Sequence, residues 1–210
     1  LRRWLHVIGE SAGAVVTVVF QEGAEARLLG AAVVFAASSD AAGDGRGEPG
    51  LGGYLHGYYW RVALPITVLA AMHITGWETL AACINILVAA RLAGAGVMLA
   101  LQVDALLTPY AVSNQRSKSQ DIQRIIFELL EMPDYRTDVA PRLALRHCSG
   151  DGNVAADAVS RALWCELAEL CEALQVRPMH VTLVEHEVAL LVRCILASAE
   201  ARDLVITEAE

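Results

Sequence analysis

The apolar segments of this chain are short, and most of them end at a charged residue. The longest stretch without Asp, Glu, Lys or Arg covers residues 62–77, and it contains Pro65 and His73. A membrane-spanning helix needs roughly 20 mostly apolar residues, so we expect none, in spite of a mean hydropathy of +0.43. The pattern predicts a layered domain of buried strands and helices, with no contact to a membrane.

The composition indicates a folded chain with ample material for a core. Of 210 residues, 55% are hydrophobic and 19% charged, which excludes disorder for most of the chain. The length suits one domain with extensions, or two small domains. Five cysteines are few and odd in number, so we expect reduced thiols in the cytoplasm or nucleus. Since the chain opens without an initiator Met or a secretory signal, we also expect a piece of a longer protein.

The charge balance restricts the class of function. There are 24 acidic against 16 basic residues, which gives a net charge of −8. A domain that holds nucleic acid only through a basic surface would be positively charged, so that class is disfavoured. An enzyme whose acids bind metal ions remains compatible with this charge. The positions of the acids along the chain therefore matter.

Hydrophobic periodicity predicts an α/β domain with a mixed sheet. Predicted strands cover residues 15–20, 31–38, 54–62 (one or two strands), 97–103 and 142–148. Predicted helices cover residues 75–93, 121–131, 153–161 and beyond, 163–174 and 185–201. The glycine-rich segment 41–53 predicts a loop, and Asn153 is a candidate N-cap. Strands that alternate with helices in this way are typical of α/β layers.

Four acids lie where predicted strands end or predicted helices begin. Asp40 follows one predicted strand and Asp104 ends another. Glu78 falls in the first turn of the first helix, and Asp157 in the first turns of the helix after the last strand. Such positions converge at one edge of a sheet, where open α/β sheets place their ligand crevices. Carboxylate oxygens favour Mg²⁺ or Mn²⁺ over Zn²⁺, so this edge is a candidate metal site.

One of these acids belongs to a more specific motif. Residues 153–161 have the sequence N-V-A-A-D-A-V-S-R, and R-H-C-S-G precedes them at 146–150. This segment resembles the last motif of the ribonuclease H domain of retrotransposon reverse transcriptases, N-x-x-A-D-x-x-S-R after a turn with glycine. Three other segments are also similar to parts of this family. Residues 33–54 resemble its first strand and glycine-rich hairpin, and residues 74–82 resemble the helix that carries its catalytic glutamate. Residues 101–105 resemble the strand that carries its third acid. The likeness covers roughly residues 30 to 165.

The resemblance implies a ribonuclease H-like fold, with a five-stranded mixed sheet flanked by helices and extra C-terminal helices. It implies an N-terminal connection segment (1–29), the ribonuclease H-like domain (30–165) and a C-terminal helical extension or linker to a next domain (166–210). It also implies catalytic and metal-binding roles for Asp40, Glu78, Asp104 and Asp157 around two Mg²⁺ ions, with Mn²⁺ as an alternative. The implied substrate is the RNA strand of an RNA–DNA hybrid, and the implied partner is the reverse transcriptase domain of the same polyprotein.

Several alternatives stay open at the level of sequence. Asp44 competes with Asp40 as the first acid, and Asp104 precedes Ala105 where a small hydroxyl residue is commoner. The chain could instead be a catalytically degenerate module of the same fold, or an unrelated α/β enzyme that binds a small molecule. Five residues are candidates for substrate binding, at a polar segment and around the last motif: Asn114, Arg116, Lys118, His147 and Asn153.

Overall fold

The computed structural model describes residues 34–43 and 45–202, with side chains from residue 37 onward. The predicted strand 15–20, the predicted connection segment 1–29 and Asp44 lie outside the described residues.

A mixed sheet of six strands forms the centre of the fold. The strands are β1 (Val34–Ala42), β2 (Gly50–Leu55), β3 (Tyr58–Ala63), β4 (Met98–Val103), β5 (Leu143–His147) and β6 (Met179–His180). Their order is β5-β4-β1-β2-β3-β6. The β1–β2 and β2–β3 pairs are antiparallel, whereas β4 runs parallel to β1, β5 to β4 and β6 to β3. The α/β class and the mixed sheet are confirmed, and the strand beyond the predicted five is the two-residue edge strand β6.

Seven helices cover the two faces of this sheet among the described residues. They are α1 (Ile66–Leu69), α2 (Ile74–Ala93), α3 (Leu107–Asn114), α4 (Gln120–Leu130), α5 (Val154–Ser160), α6 (Trp164–Ala173) and α7 (Glu185–Glu200). The sequence did not predict α3, whose first turn contains Pro109. Proline is tolerated there because the first N–H groups of a helix have no intrahelical partner. The helix after Asn153 is also shorter than predicted, since α5 ends at Ser160.

Helix α2 runs through the main core. Its buried residues lie on every side of the helix, because it packs between the sheet and helices α4 and α7. By length and composition α2 is the one described helix that could cross a membrane. The length of the stretches without charged residues had predicted no such helix. That criterion missed it because Glu78 and Arg91 interrupt its apolar sequence. In this structure 72% of its most apolar window is buried inside the protein.

The glycine-rich segment is partly strand and not all loop as predicted. Gly50, Gly52 and Gly53 belong to β2 and pair with both β1 and β3. A Cβ on Gly52 would lie 2.6 Å from the backbone nitrogen of Ser160, so α5 approaches the sheet closely at this point. A Cβ on Gly53 would collide with the ring of Trp60 from β3. These glycines are therefore required by close packing and do not mark a turn.

The C-terminal helix α7 packs on the same core as the sheet. Leu190 and Cys194 are fully buried in the cluster that includes α2 and α4. Glu187, also fully buried, accepts two hydrogen bonds from Arg91 of α2, at 2.9 and 3.1 Å. A second, smaller core cluster joins Tyr54 to α5 and α6. The predicted domain boundaries stay predictions, but α7 is held on this fold by apolar and charged contacts.

Candidate active site

The strand register places the first and third acids side by side. Strands β1 and β4 are parallel neighbours, and Ser39 is paired with Val103. The next residue on each strand is an acid, Asp40 on β1 and Asp104 directly after β4. Asp40 does not follow its strand as predicted. It lies within β1, opposite Gly52, because the antiparallel pairing with β2 continues β1 to residue 42.

The remaining two acids come from helices packed against these strands. Glu78 is the fifth residue of α2 and so lies in the second turn, not in the first as predicted. Asp157 lies in α5, which contacts both β1 and β2. Both helices begin near the edge of the sheet at which β1 and β4 carry their acids. The four predicted acids therefore come from four different elements and face one region.

Electrostatic coupling among the acids indicates how close they are. Burial raises the pKa of Glu78 from its usual 4.5 to about 7, and the negative charges of Asp40 and Asp104 add to this rise. Burial also raises the pKa of Asp40 to about 6, and the charge of Asp157 contributes there. Such effects require short distances, since solvent screens charges that are far apart. The structure thus brings Asp40, Glu78 and Asp104 together, with Asp157 beside Asp40.

Asp40 is the most buried of these acids, at 6% exposure. The hydroxyl of Ser160, at the end of α5, donates a hydrogen bond of 2.7 Å to Asp40 Oδ2. Ser160 is itself fully buried, and its backbone packs on Gly52. A hydrogen bond to a charged acceptor is short and strong, so this contact fixes the carboxylate of Asp40 in one orientation. Residues of this kind orient metal-binding carboxylates in many proteins.

Asp157 differs from the other acids because an arginine holds it. Arg161, one turn later, donates from Nε to Asp157 Oδ1 at 2.6 Å. The backbone around Arg161 is anchored to the loop before β2: its carbonyl accepts a hydrogen bond of 2.9 Å from the N–H of Glu48. Thus the fourth acid is already paired with a positive charge in this structure.

The end of β5 completes the rim of the site beside Asp104. His147 Nε2 lies 4.0 Å from Asp104 Oδ1, with both side chains a little under two-fifths exposed. Burial raises the pKa of the Cys148 thiol to about 11, with smaller contributions from the charges of Asp104 and Asp40. A Cβ on Gly150 would lie 3.2 Å from Asp104 Oδ2. The turn after β5 therefore passes close to the acids and leaves Asp104 open to solvent.

The other predicted substrate-binding residues occupy two different environments. Asn153 is buried, and its Nδ2 donates to the backbone carbonyl of Ser39 at 2.9 Å. Asn153 holds the predicted N-cap position of α5, but its side chain makes no capping hydrogen bond and joins that helix to β1 instead. Asn114, Arg116 and Lys118 are exposed at and just after the end of α3. Of the five candidates, His147 is the one in contact with an acid.

The four acids suit a hard divalent cation by their chemistry but not by their present spacing. The four acids supply carboxylate oxygens, which Mg²⁺ and Mn²⁺ prefer. Within residues 34–43 and 45–202, no three His, Cys, Asp or Glu side chains are arranged to hold one ion as they stand. Mutual repulsion between anionic carboxylates favours such a separation. The donor chemistry fits, and a bound cation would have to draw the carboxylates closer together.

Two residues of the site had no assigned role at the sequence level. Ser160 and Arg161 were recognised only as letters of the N-x-x-A-D-x-x-S-R motif. The spacing of Asp157 and Arg161, four residues apart on a helix, is a signal that could have predicted their ion pair. No local signal could have joined Ser160 to Asp40, since 120 positions separate them.

Comparison with known proteins does not assign the chain to a family. No protein-family model matches it, and neither a curated protein nor a solved structure is significantly similar to it. The function is therefore argued from the residues of the site.

Proposed function

We propose that this chain is a ribonuclease H-like nuclease domain that depends on divalent metal ions and hydrolyses the RNA strand of RNA–DNA hybrids. The observation that carries the proposal is the convergence of Asp40, Glu78 and Asp104 from three separate elements. Burial raises the pKa of Glu78, and the negative charges of Asp40 and Asp104 raise it further because they lie nearby. In line with the resemblance, Asp40 lies on the first described strand, Glu78 on the first long helix, and Asp104 directly follows the strand after that helix.

Two Mg²⁺ ions in such a site would activate a water and stabilise the leaving oxygen during in-line attack on a phosphodiester. The chain's own residues prepare the site for cations. Asp40 is oriented by Ser160, and Glu78 holds a proton near neutral pH because its pKa is about 7. A divalent cation has to displace that proton, so we expect metal affinity to fall as the solution becomes more acidic. Asp104, which is partly exposed, faces the solvent from which substrate arrives.

The substrate class rests on the resemblance. Proteins distinguish RNA from DNA through the 2′-hydroxyl groups. The exposed residues Asn114, Arg116 and Lys118 are candidates for phosphate contact. They lie at and just after the end of α3, which is fixed to α2 by a buried hydrogen bond of 2.9 Å between Thr108 and Thr79. Since Thr79 directly follows Glu78, this bond links the candidate binding segment to the helix that carries a catalytic candidate.

The wider context of the domain follows from the motif at residues 153–161. The proposed setting is a retroelement polyprotein in the cytoplasm or nucleus, with a reverse transcriptase domain as the partner in the same chain. All five cysteines are free in this structure, which supports a reducing compartment. The proposal includes no membrane contact.

A cleavage assay with matched variants tests the nuclease proposal. The purified chain is incubated with Mg²⁺ and an end-labelled RNA–DNA hybrid, with double-stranded DNA and single-stranded RNA as comparison substrates. Substitution of a residue that orients a metal ligand lowers metal affinity or activity about 10- to 100-fold, so removal of the carboxylate itself in Asp104→Asn should lower cleavage by at least about 100-fold. The control is Asp134→Asn, an exposed acid with φ 59°, a backbone conformation that Asn adopts readily. Equal cleavage by both variants would remove Asp104 from the site.

A catalytically degenerate module of the same fold is the second candidate. The Arg161–Asp157 ion pair favours it, since a paired acid is a poorer metal ligand. Thermal melting with and without Mg²⁺ separates the two candidates. A metal site raises the melting temperature by mass action, while a degenerate site does not respond. Absence of both cleavage and metal-dependent stabilisation would refute the nuclease and favour the degenerate module.

A further inference from the structure

Asp40 belongs to a row of three residues that crosses the sheet. Asp40 on β1 is paired with Gly52 on β2, and Gly52 is paired with Arg61 on β3. Side chains of directly paired residues lie on the same face of a sheet. Gly52 has no side chain, and a Cβ there would lie 2.6 Å from the backbone nitrogen of Ser160 and 2.9 Å from its Cα. Ser160, at the end of α5, therefore occupies the space between Asp40 and Arg61.

Ser160 is bonded to both ends of this row. Its hydroxyl donates to Asp40 Oδ2 at 2.7 Å, and its carbonyl accepts a hydrogen bond of 3.4 Å from Arg61 Nε. Arg61 Nη2 also donates to the carbonyls of Glu48 and Pro49, at 3.2 and 3.3 Å. The Arg61 side chain is only 11% exposed, and hydrogen bonds with little access to water are stronger than exposed ones. The guanidinium thus joins the end of α5 to the loop before β2.

Helix α5 depends on such contacts for its position. It has seven residues, and a helix of this length is not stable without tertiary contacts. Carbonyls in the last turn of a helix lack intrahelical partners, and a positive charge near them is favourable. A Cβ on Gly50 would lie 2.9 Å from the Ser160 carbonyl oxygen and 3.2 Å from Arg61 Nη2, so β2 leaves room for this contact. Loss of the guanidinium should therefore loosen the last turn of α5 and the hydroxyl that holds Asp40.

We infer that Arg61 is a positioning residue for the proposed reaction: it fixes the last turn of α5, and through Ser160 it fixes the carboxylate of Asp40. The inference rests on the proposed function and concerns the same site. Arg61 acts from the far side of Ser160, because β3 lies two strands from β1 and neighbouring strands are about 4.8 Å apart. Among the described contacts of Arg61, none reaches Asp40 itself.

A double-mutant comparison of stability tests this chain of contacts. Arg61→Met keeps an unbranched side chain of similar length but removes every donor. The urea midpoint of unfolding is measured in EDTA with and without Ser160→Ala. The loss of midpoint caused by Ser160→Ala should be at least halved in the Arg61→Met background, because the bond to Asp40 is already weakened there. The control background is Arg91→Met, a partly buried ion-pair arginine at the opposite end of α2 from Glu78, in which Ser160→Ala should cause the full loss.

Cleavage of the RNA–DNA hybrid gives a second readout. Substitution of residues that orient metal ligands costs about 10- to 100-fold, so Arg61→Met should lower kcat about 10-fold, with an unchanged KM for the hybrid. Arg61→Lys should recover part of this loss, because it keeps a positive charge at the end of α5. Arg91→Met should cleave like the wild type at a temperature at which both are folded.

The outcomes separate the inference from the proposed function. Equal Ser160→Ala losses in the Arg61→Met and Arg91→Met backgrounds would overturn the inference and leave the nuclease standing, as would wild-type cleavage by Arg61→Met. A wild-type chain with neither cleavage nor metal-dependent stabilisation would refute both the nuclease and a role of Arg61 in its reaction. The stability comparison needs no metal or substrate, so it would still decide whether Arg61 acts through Ser160. If Arg61→Met does not fold, Arg61→Lys replaces it there, since one ammonium cannot occupy the places of both Nε and Nη2.

Discussion

Asp40→Asn is expected to change how the stability of the metal-free protein depends on pH. Folding raises the pKa of Asp40 from 3.8 to about 6, mainly because the carboxyl is buried. The folded state therefore keeps the proton at a pH where the unfolded chain has lost it. The free energy by which the protonated Asp40 stabilises the folded state is fully present below about pH 4 and is lost as the pH rises through about 6. The Asn variant cannot ionise, and its side-chain oxygen still accepts the hydrogen bond from Ser160.

The magnitude follows from the pKa and the burial of the side chain. The rise in pKa corresponds to about a hundredfold change in acid dissociation, which is about 3 kcal/mol. Asp40 is only 6% exposed, so little of this effect is screened by solvent. Glu78 is more exposed and adds a smaller contribution of the same sign. We thus expect the unfolding free energy of the variant minus that of wild type to be about 3 kcal/mol larger at about pH 8 than at about pH 4.

Urea unfolding measures this effect directly. Fluorescence of the fully buried Trp60 and Trp77 reports unfolding, in EDTA at five pH values from about 4 to about 8. The quantity of interest is the unfolding free energy of the variant minus that of wild type, because groups distant from residue 40 contribute equally to both. Glu78 contributes in the same direction as Asp40, since the charge of Asp40 helps to raise its pKa in the wild type. The exposed Asp134→Asn variant is the control for the loss of a carboxyl group at the surface. A difference for Asp40→Asn that does not change with pH would refute the claim that folding buries a protonated Asp40.

Two further predictions concern packing and the C-terminal helix. Gly52→Ala should lower the free energy of unfolding by about 2 kcal/mol or more, because the added Cβ would lie 2.6 Å from a backbone nitrogen of α5. Gly43→Ala is its control, since the nearest atom to that Cβ is 3.9 Å away, and equal urea midpoints for the two variants would contradict the close packing. Glu187→Gln should cost about 2 kcal/mol, because Arg91, whose side chain is 30% exposed, keeps one hydrogen-bond acceptor but loses the buried negative charge. The melting temperature should fall clearly below that of the exposed Glu185→Gln variant, and an unchanged value would show that the pair does not hold α7.

Local patterns predicted most of the elements. Helices α2 and α4 and strands β4 and β5 were found within about two residues, since hydrophobic spacing and flanking glycine or proline act over one or two turns. Hydrophobic periodicity did not predict strand β2, because its glycines are explained by contacts that are distant in sequence. Gly50 and Gly52 look like loop residues, and only the approach of Ser160 from α5 explains why a strand needs them. Asn153 was predicted to cap its own helix, yet its side chain bonds to Ser39, which is distant in sequence.

The sequence by itself predicted the α/β class and the mixed sheet, because strands and helices are visible in the local pattern, and it made Asp40, Glu78, Asp104 and Asp157 the candidate acids. Tertiary structure alone decided how these acids differ from one another. Asp40 is buried and held by a serine 120 positions away, while Asp157 is paired with Arg161, which the loop before β2 fixes in place. Burial raises the pKa of Asp40 and of Glu78, and burial depends on how the layers pack and not on the spacing of residues along the chain.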